Sequence, residues 1–218
     1  MNVTFKVART EADMADVLRL RDAVYVGDQG RLADAADTAA TFDRFDAHAE
    51  YILGHVEGQA AGTVKVVPDS AAGLPCDDTV DISALRVGNR LVEFGHLMTL
   101  PSMRHREIGM ALMREAVIHS ARKHDMTHIL GDFFVDDSEG LRGFYKEIGF
   151  FALHEPYEDT RFKGSPLSLV AALDVTEAVS RARTPEGRKS RLLQYFFGDY
   201  DSYVSEEVTD ADTAPAAG

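Results

Sequence analysis

A single cysteine, Cys76, occurs in the 218 residues, which excludes an internal disulfide and a thiolate metal cluster and fits a reducing compartment. Basic residues are also few. Lys and Arg number 23 against 36 Asp and Glu, giving a formal net charge of -13. Such a surface repels nucleic acids and anionic membranes unless a local basic patch overrides the sum. Long apolar runs are missing as well: uncharged stretches such as Leu167–Leu173 fall far short of the roughly 20 residues that cross a bilayer. Met1–Arg9 alternates polar and apolar residues and lacks an apolar core or a small-residue cleavage site, so no signal peptide is expected and the protein is read as cytoplasmic. Gly and Pro are present in ordinary numbers, and a 45% hydrophobic content is enough for a sizeable core, which excludes collagen, coiled-coil and wholly disordered classes.

Patterning then supplies the elements. Val3, Phe5 and Val7 alternate as a strand, and Thr10-Glu11-Ala12-Asp13 has the spacing of a capping box that opens a helix with Met14, Val17, Leu18, Arg21, Val24 and Tyr25 along one face. Gly27–Asp46 is small, acidic and poorly periodic, and reads as a loop or loosely ordered short helices. Glu50–Gly58 and Gln59–Pro68 form a hairpin around Glu57-Gly58-Gln59. Arg90–Leu100 reads as a strand stopped by Pro101, Gly109–Lys123 as a helix, His128–Val135 as a strand, and Ser138–Ile148 as a helix with a left-handed cap at Gly149. Phe150–His154 and Leu167–Asp174 complete the sheet. This alternation predicts a mixed α/β layer over residues 1–174. Beyond it, 175–208 reads as a C-terminal helical extension, with Thr184-Pro185-Glu186 starting a helix that runs over Arg188–Phe197. Residues 209–218 read as a disordered Ala/Asp/Pro tail.

The chemistry concentrates at Val92–Lys123. A strand, Val92-Glu93-Phe94-Gly95-His96-Leu97-Met98-Thr99-Leu100, passes through Pro101 into the basic turn Arg104-His105-Arg106-Glu107-Ile108-Gly109 and then into a helix from Met110. Unpaired amides and the helix dipole make such a turn a place for an anion. Further on, Phe144-Tyr145-Lys146-Glu147-Ile148-Gly149-Phe150 ends the next helix. Together these segments resemble the GNAT N-acyltransferase superfamily. The segments around Leu18–Val26 and Phe42–Tyr51, and the run Val80–Leu85, are most similar to the long-chain N-acyl amino acid synthases and, more distantly, the acyl-homoserine-lactone synthases.

The resemblance implies a GNAT fold: a twisted, mostly antiparallel mixed sheet of six to seven strands flanked by helices. It also implies direct attack of an amine on a thioester. Its phosphate turn fits in two frames. One begins at Arg104 and places Glu107 where the family has its middle glycine; the other begins at Arg106 and sits two residues late. The first is preferred, because Ile108, Leu112 and Met113 then fall where the family is apolar. A carboxylate beside a pyrophosphate is repelled at short range, which points from free coenzyme A toward an acyl carrier protein, whose pantetheine carries one phosphodiester. Arg104, His105, Arg106, Arg114, Arg122 and Lys123 form the basic patch that an acidic carrier would need.

By the same resemblance Glu93 is the general base and Tyr145 the acid that protonates the leaving thiolate. Backbone amides near Met98 and Leu100 bind the thioester and pantetheine, and Arg104 to Met110 hold the phosphate. His96 is three residues from Glu93, so an ideal strand puts it on the opposite face; a bulge in this strand would return it to the site. Asp132, Asp136 and Asp137 look like a cluster on paper, but carboxylates at strand ends commonly cap helices and no metal is expected. Tyr195, Phe196, Phe197, Tyr200 and Tyr203 either dock the extension or roof an acyl tunnel. The expected function is transfer of an acyl group from a carrier-protein or coenzyme A thioester to a small-molecule amine, an amino acid in first place. An acetyl-coenzyme A acetyltransferase and a catalytically silent binding domain are the alternatives. The sequence leaves the oligomeric state open.

Overall fold

The structure, a computed structural model, describes residues 2–34, 36, 44–104, 106–135 and 139–205 and, for residues 139–142, the backbone alone. His105, Asp136, Asp137, Ser138 and the tail 209–218 lie outside the described residues.

The first strand, β1 (Val3–Val7), is followed by α1 (Glu11–Arg21). The capping box forms as its spacing predicts: Thr10 Oγ1 accepts from the Asp13 amide, while the Asp13 carboxylate accepts from the Thr10 amide at 3.1 Å. The helix continues as a π-helical stretch over Asp22–Asp28, which buries Val24 and Tyr25. A hairpin of β2 (Glu50–Val56) and β3 (Gln59–Pro68) turns at Glu57 and Gly58, both with positive φ, as a tight two-residue turn requires.

A short α2 (Ser83–Arg86) precedes β4 (Leu91–Thr99), α3 (Ile108–His124), β5 (His128–Phe134) and α4 (Glu139–Ile148). Gly149 caps α4 at φ +112, with its own amide and that of Phe150 both donating to the Tyr145 carbonyl. Two-residue β6 (Phe151–Ala152) and β7 (Tyr157–Glu158) both pair with β8 (Leu167–Asp174). The single sheet of eight strands runs β1-β2-β3-β4-β5-β8-β6, with β7 also on β8. Among the described residues only β4 and β5 pair in parallel. Two residues leave no alternation to read, so β7 has no trace in the sequence pattern.

The sheet has two working faces. Val64 and Val66 of β3 and Val92 and Phe94 of β4 pack on Leu112, Ala116 and Val117 of α3. Val67, Leu91 and Leu130 face the other way, onto Leu74, Cys76 and Ile82. The C-terminal helices α5 (Val175–Ala182), α6 (Arg191–Phe197) and α7 (Tyr200–Ser205) close over the α3 side, where Ala178, Leu193, Phe196, Phe197 and Tyr203 join the same core. Here α6 begins three residues later than the expected Arg188. Gly187 lies so close to α5 that a Cβ would stand 1.8 Å from the Arg181 carbonyl oxygen, and the chain makes a short 3-10 turn there. Ser190 then caps α6, its hydroxyl accepting from the Leu193 amide.

Candidate active site

Strand β4 pairs in parallel with β5 over Leu91–Phe94, against His128–Gly131, and over Val92–Phe94 it is held on its other side by β3 as well. That parallel ladder ends there, although β4 runs on to Thr99 and β5 to Phe134. The two strands therefore fork. Gly131 stands at the fork without a side chain because a Cβ would come within 2.5 Å of the Phe133 ring.

Beyond the fork β4 bulges. Lys65 of β3 opposes Gly95 and Thr63 opposes Met98, so Val64 alone faces both His96 and Leu97. His96 absorbs the extra residue in a left-handed conformation, φ +48. A regular strand would put Glu93 and His96 on opposite faces; with the bulge both line one cavity of about 590 Å³ on the face away from α3. The bulge also shifts the parity of the strand, which brings Met98 against Val24, Tyr25 and Leu32.

Glu93 and Asp159 are the buried acids of this cavity, and Glu93 is the one shifted toward neutrality. Burial pushes its carboxyl up to about 7; the Cys76 amide, which donates to Oε2 at 2.8 Å, pulls it down, Asp132 raises it and Arg161 lowers it. His96 moves the other way. Burial, reinforced by Arg21, Lys65 and Arg161, holds its pKa well below 6.5, and its buried Nδ1 has no hydrogen-bond partner among the described residues. The ring is thus a neutral hydrogen-bonding group rather than a strong base, and Glu93 is the group whose protonation changes near neutrality.

The opposite wall comes from the segment between β7 and β8. Arg161 donates to both Asp159 oxygens and to Asp132 Oδ2 at 2.6 Å, and Tyr157 donates to the same Asp132 oxygen. The other Asp132 oxygen is buried with no partner among the described residues. Arg31 lies over the Phe134 ring at 3.4 Å. Lys65, 1% exposed, pairs with Asp46 at 2.9 Å. The lining carries Arg31, Lys65, Arg161 and Lys163 against Glu93, Asp132 and Asp159: four cations to three acids in a chain of net charge -13. None of these cations was singled out in the sequence. Lys65 alone left a signal, as a lysine inside the apolar run Ala60–Val67.

Tyr145 stands elsewhere. It lines a second, mainly apolar cavity of about 360 Å³ with Phe133, Phe150, Leu169 and Ala171, its ring 3.9 Å from that of Phe133. Phe134, next to Phe133 in β5, lines both cavities, so the Glu93 cavity and the Tyr145 cavity adjoin at the end of β5 beyond the fork.

The turn before α3 places Glu107 at φ +60, in the conformation that favours glycine. Ile108, Gly109 and Met110 follow as the first turn of α3, whose leading amides have no partner within the helix. The expected backbone donor at Leu100 is corrected, since its amide donates to the Ala61 carbonyl at 2.9 Å. Ladder alternation points the Met98 amide toward β3 as well and leaves Thr99 directed away from it. Much of the basic patch is engaged within the chain: Arg104 pairs with Asp28, Arg114 donates to the Tyr195 carbonyl, Arg122 to the Tyr203 carbonyl, and Lys123 pairs with Glu50.

A forked parallel strand pair, a bulged β4 bearing a buried carboxylate and a basic turn at a helix N-terminus define a GNAT-type N-acyltransferase. The family model described as N-acyl amino acid synthase FeeM matches residues 16–173, and the chain belongs to that family. Among solved structures, FeeM itself, an N-acyl amino acid synthase from uncultured soil microbes, superposes with a TM-score of 0.69 at 18% identity, over 87% of this chain and 98% of that one. Escherichia coli ElaA gives a TM-score of 0.57 at 17% identity, over 79% of this chain and 100% of that one. Arabidopsis thaliana Naa50, solved with the bisubstrate analogue CoA-Ac-MVNAL, gives 0.56 at 14%, over 80% and 99%. Comparison with curated protein sequences gives no significant match.

Proposed function

We propose that the protein transfers an acyl chain from a pantetheine thioester to the amine of an amino acid. The observation that carries this reading is the cavity of Glu93: a carboxyl with its pKa near neutrality, at the mouth of a strand fork, in a lining with one cation in excess. The thioester enters through the fork from the α3 side, its phosphate on the amides that open α3. The amino acid enters from the other side with its carboxylate toward Arg31 and Arg161. Glu93 takes a proton from the ammonium group, directly or through a water, and the unpartnered oxygen of Asp132 and the His96 ring orient the nitrogen. The amine attacks the thioester carbonyl and a tetrahedral oxyanion forms. Its collapse expels the pantetheine thiolate, which takes a proton from Tyr145 on the far side of the fork, while the second proton that the nitrogen loses as the amide forms passes through water to the Tyr145 phenolate and restores the phenol. The Thr99 amide, rather than those of Met98 and Leu100, is the strand donor directed away from β3.

Glu107 supports a carrier-protein donor over free coenzyme A, since a pyrophosphate there meets a carboxylate that a single phosphodiester tolerates better. Glu107→Gly tests this. Removing a side chain from a left-handed position should stabilise the fold by about 1 kcal/mol, and isothermal titration should show coenzyme A binding about tenfold more tightly, with acyl-carrier turnover little changed. The decisive assay offers the purified protein acyl-carrier and acyl-coenzyme A donors of several chain lengths with mixed amino acids, and identifies products by mass spectrometry. N-acyl amino acids formed from the carrier thioester support the reading. Acetylated amines formed only from acetyl-coenzyme A assign the protein to the acetyltransferases instead.

A further inference from the structure

On the α3 face of the sheet, away from the Glu93 cavity, three metal-ligating side chains converge. Glu50 opens β2 and is registered against Val66, one of the β3 residues packed on α3. His119 and His124 lie in the last two turns of α3. Both imidazoles aim Nε2 at one carboxylate oxygen, Glu50 Oε2, at 2.7 and 2.9 Å. All three ligand atoms lie within 4.8 Å of one another, and the two rings meet edge to face with centroids 5.9 Å apart.

We propose that Glu50, His119 and His124 form a binding site for a divalent borderline metal ion, Zn2+ in first place. Two imidazoles and one carboxylate are a donor set zinc takes. Bonds of about 2.0–2.1 Å at tetrahedral angles put ligand atoms roughly 3.3 Å apart, so Oε2 and each Nε2 need separate by only about half an ångström. The side chains are 16–18% exposed, which leaves the fourth position to water. Lys123 donates to the other oxygen, Oε1, and so presents the carboxylate to the ion through Oε2 alone, as an outer-shell partner does. The ligands come from two rigid elements, β2 and the C-terminal end of α3, and the ion clips one to the other. None of the three lines either described cavity, which fits a structural role.

The site is read with Co2+ and Zn2+ on the full chain, independently of any acyl transfer. Co2+ should give the intense visible bands of four-coordinate cobalt, which Zn2+ should abolish. Saturating Zn2+ should raise Tm by about 5 °C. His119→Ala and His124→Ala should each weaken Co2+ binding at least tenfold, while His55→Ala, on β2 but outside the cluster, should leave it unchanged. If the variants do not fold, diethylpyrocarbonate labelling of the unsubstituted protein decides: Zn2+ should protect His119 and His124 and not His55. Absence of the cobalt bands, bands that persist in the double variant, or labelling indifferent to Zn2+ would overturn the proposal.

Discussion

Glu93→Gln is expected to lower kcat/KM by 10²- to 10⁴-fold, the usual contribution of a positioned general base, while the protein becomes more stable above neutral pH. Both effects follow from one property of the residue. Its carboxyl is raised from 4.5 to about 7 because burial disfavours the ion. A proton acceptor with that pKa is partly ionised at neutral pH and basic enough to draw a proton from an ammonium group, so activity should rise with pH and level off above about 7. The stability follows the opposite course. The native state holds a proton that the unfolded chain has released, so the fold loses stability between about pH 4.5 and 7, and the loss is complete above 7. About 2.5 pKa units correspond to roughly 3 kcal/mol. Glutamine keeps an acceptor for the Cys76 amide and carries no charge, so its Tm should be nearly flat where the wild-type value falls. Melting curves at pH 5 and pH 8 and a pH–rate profile measure both. A variant that retains wild-type turnover would remove Glu93 from the chemistry, and a wild-type Tm unchanged between those pH values would show that its carboxyl is not held protonated. Tyr145→Phe, acting later on the leaving thiolate, should slow turnover about tenfold or more without shifting the limb near pH 7.

What the sequence reveals of this site depends on how far each residue lies from a regular element. Glu93 is legible because it sits in the paired part of β4, where strand alternation holds. His96 is legible only through the bulge that the resemblance suggests, because strand alternation alone puts it on the other face; the mark in the sequence is Gly95, a glycine inside a strand, which on its own does not say where the extra residue falls. Arg161 and Asp159 lie between a two-residue strand and β8, in a stretch with no period, and only the fold carries them to Asp132. Tyr145 follows from the motif at the end of α4, but motif spacing is blind to the sheet: it cannot say that Tyr145 and Glu93 line two different cavities that share Phe134. The basic patch misleads for a related reason. Arg114 and Arg122 look free along an isolated helix, whereas the folded chain uses them to bind backbone carbonyls of α6 and α7.

The second large effect is expected far from the cavities, at Phe196. This side chain is 1% exposed and packs in the same core as Leu112 and Val117 of α3, with its ring 6.0 Å from that of Phe144 on α4. Truncation to alanine should cost about 3–5 kcal/mol, the transfer energy of a buried aromatic plus the cavity it leaves. At this chain length that is a fall in Tm of about 10 °C, read by calorimetry or far-UV circular dichroism. Tyr195, one residue earlier and 36% exposed, should cost less than about 1 kcal/mol on the same change. The contrast separates two roles for the C-terminal aromatics. None of Tyr195, Phe196, Phe197, Tyr200 and Tyr203 lines either described cavity, whereas Phe196, Phe197 and Tyr203 are buried among α3, α4 and α5. If these helices roofed a tunnel, their loss would alter chain-length preference and spare the fold. As part of the core they fix α4 and thereby Tyr145, so Phe196→Ala should lower stability and kcat together with an unchanged order of acyl-chain preference. A variant that melts normally but prefers a different acyl length would place the aromatics at the substrate after all.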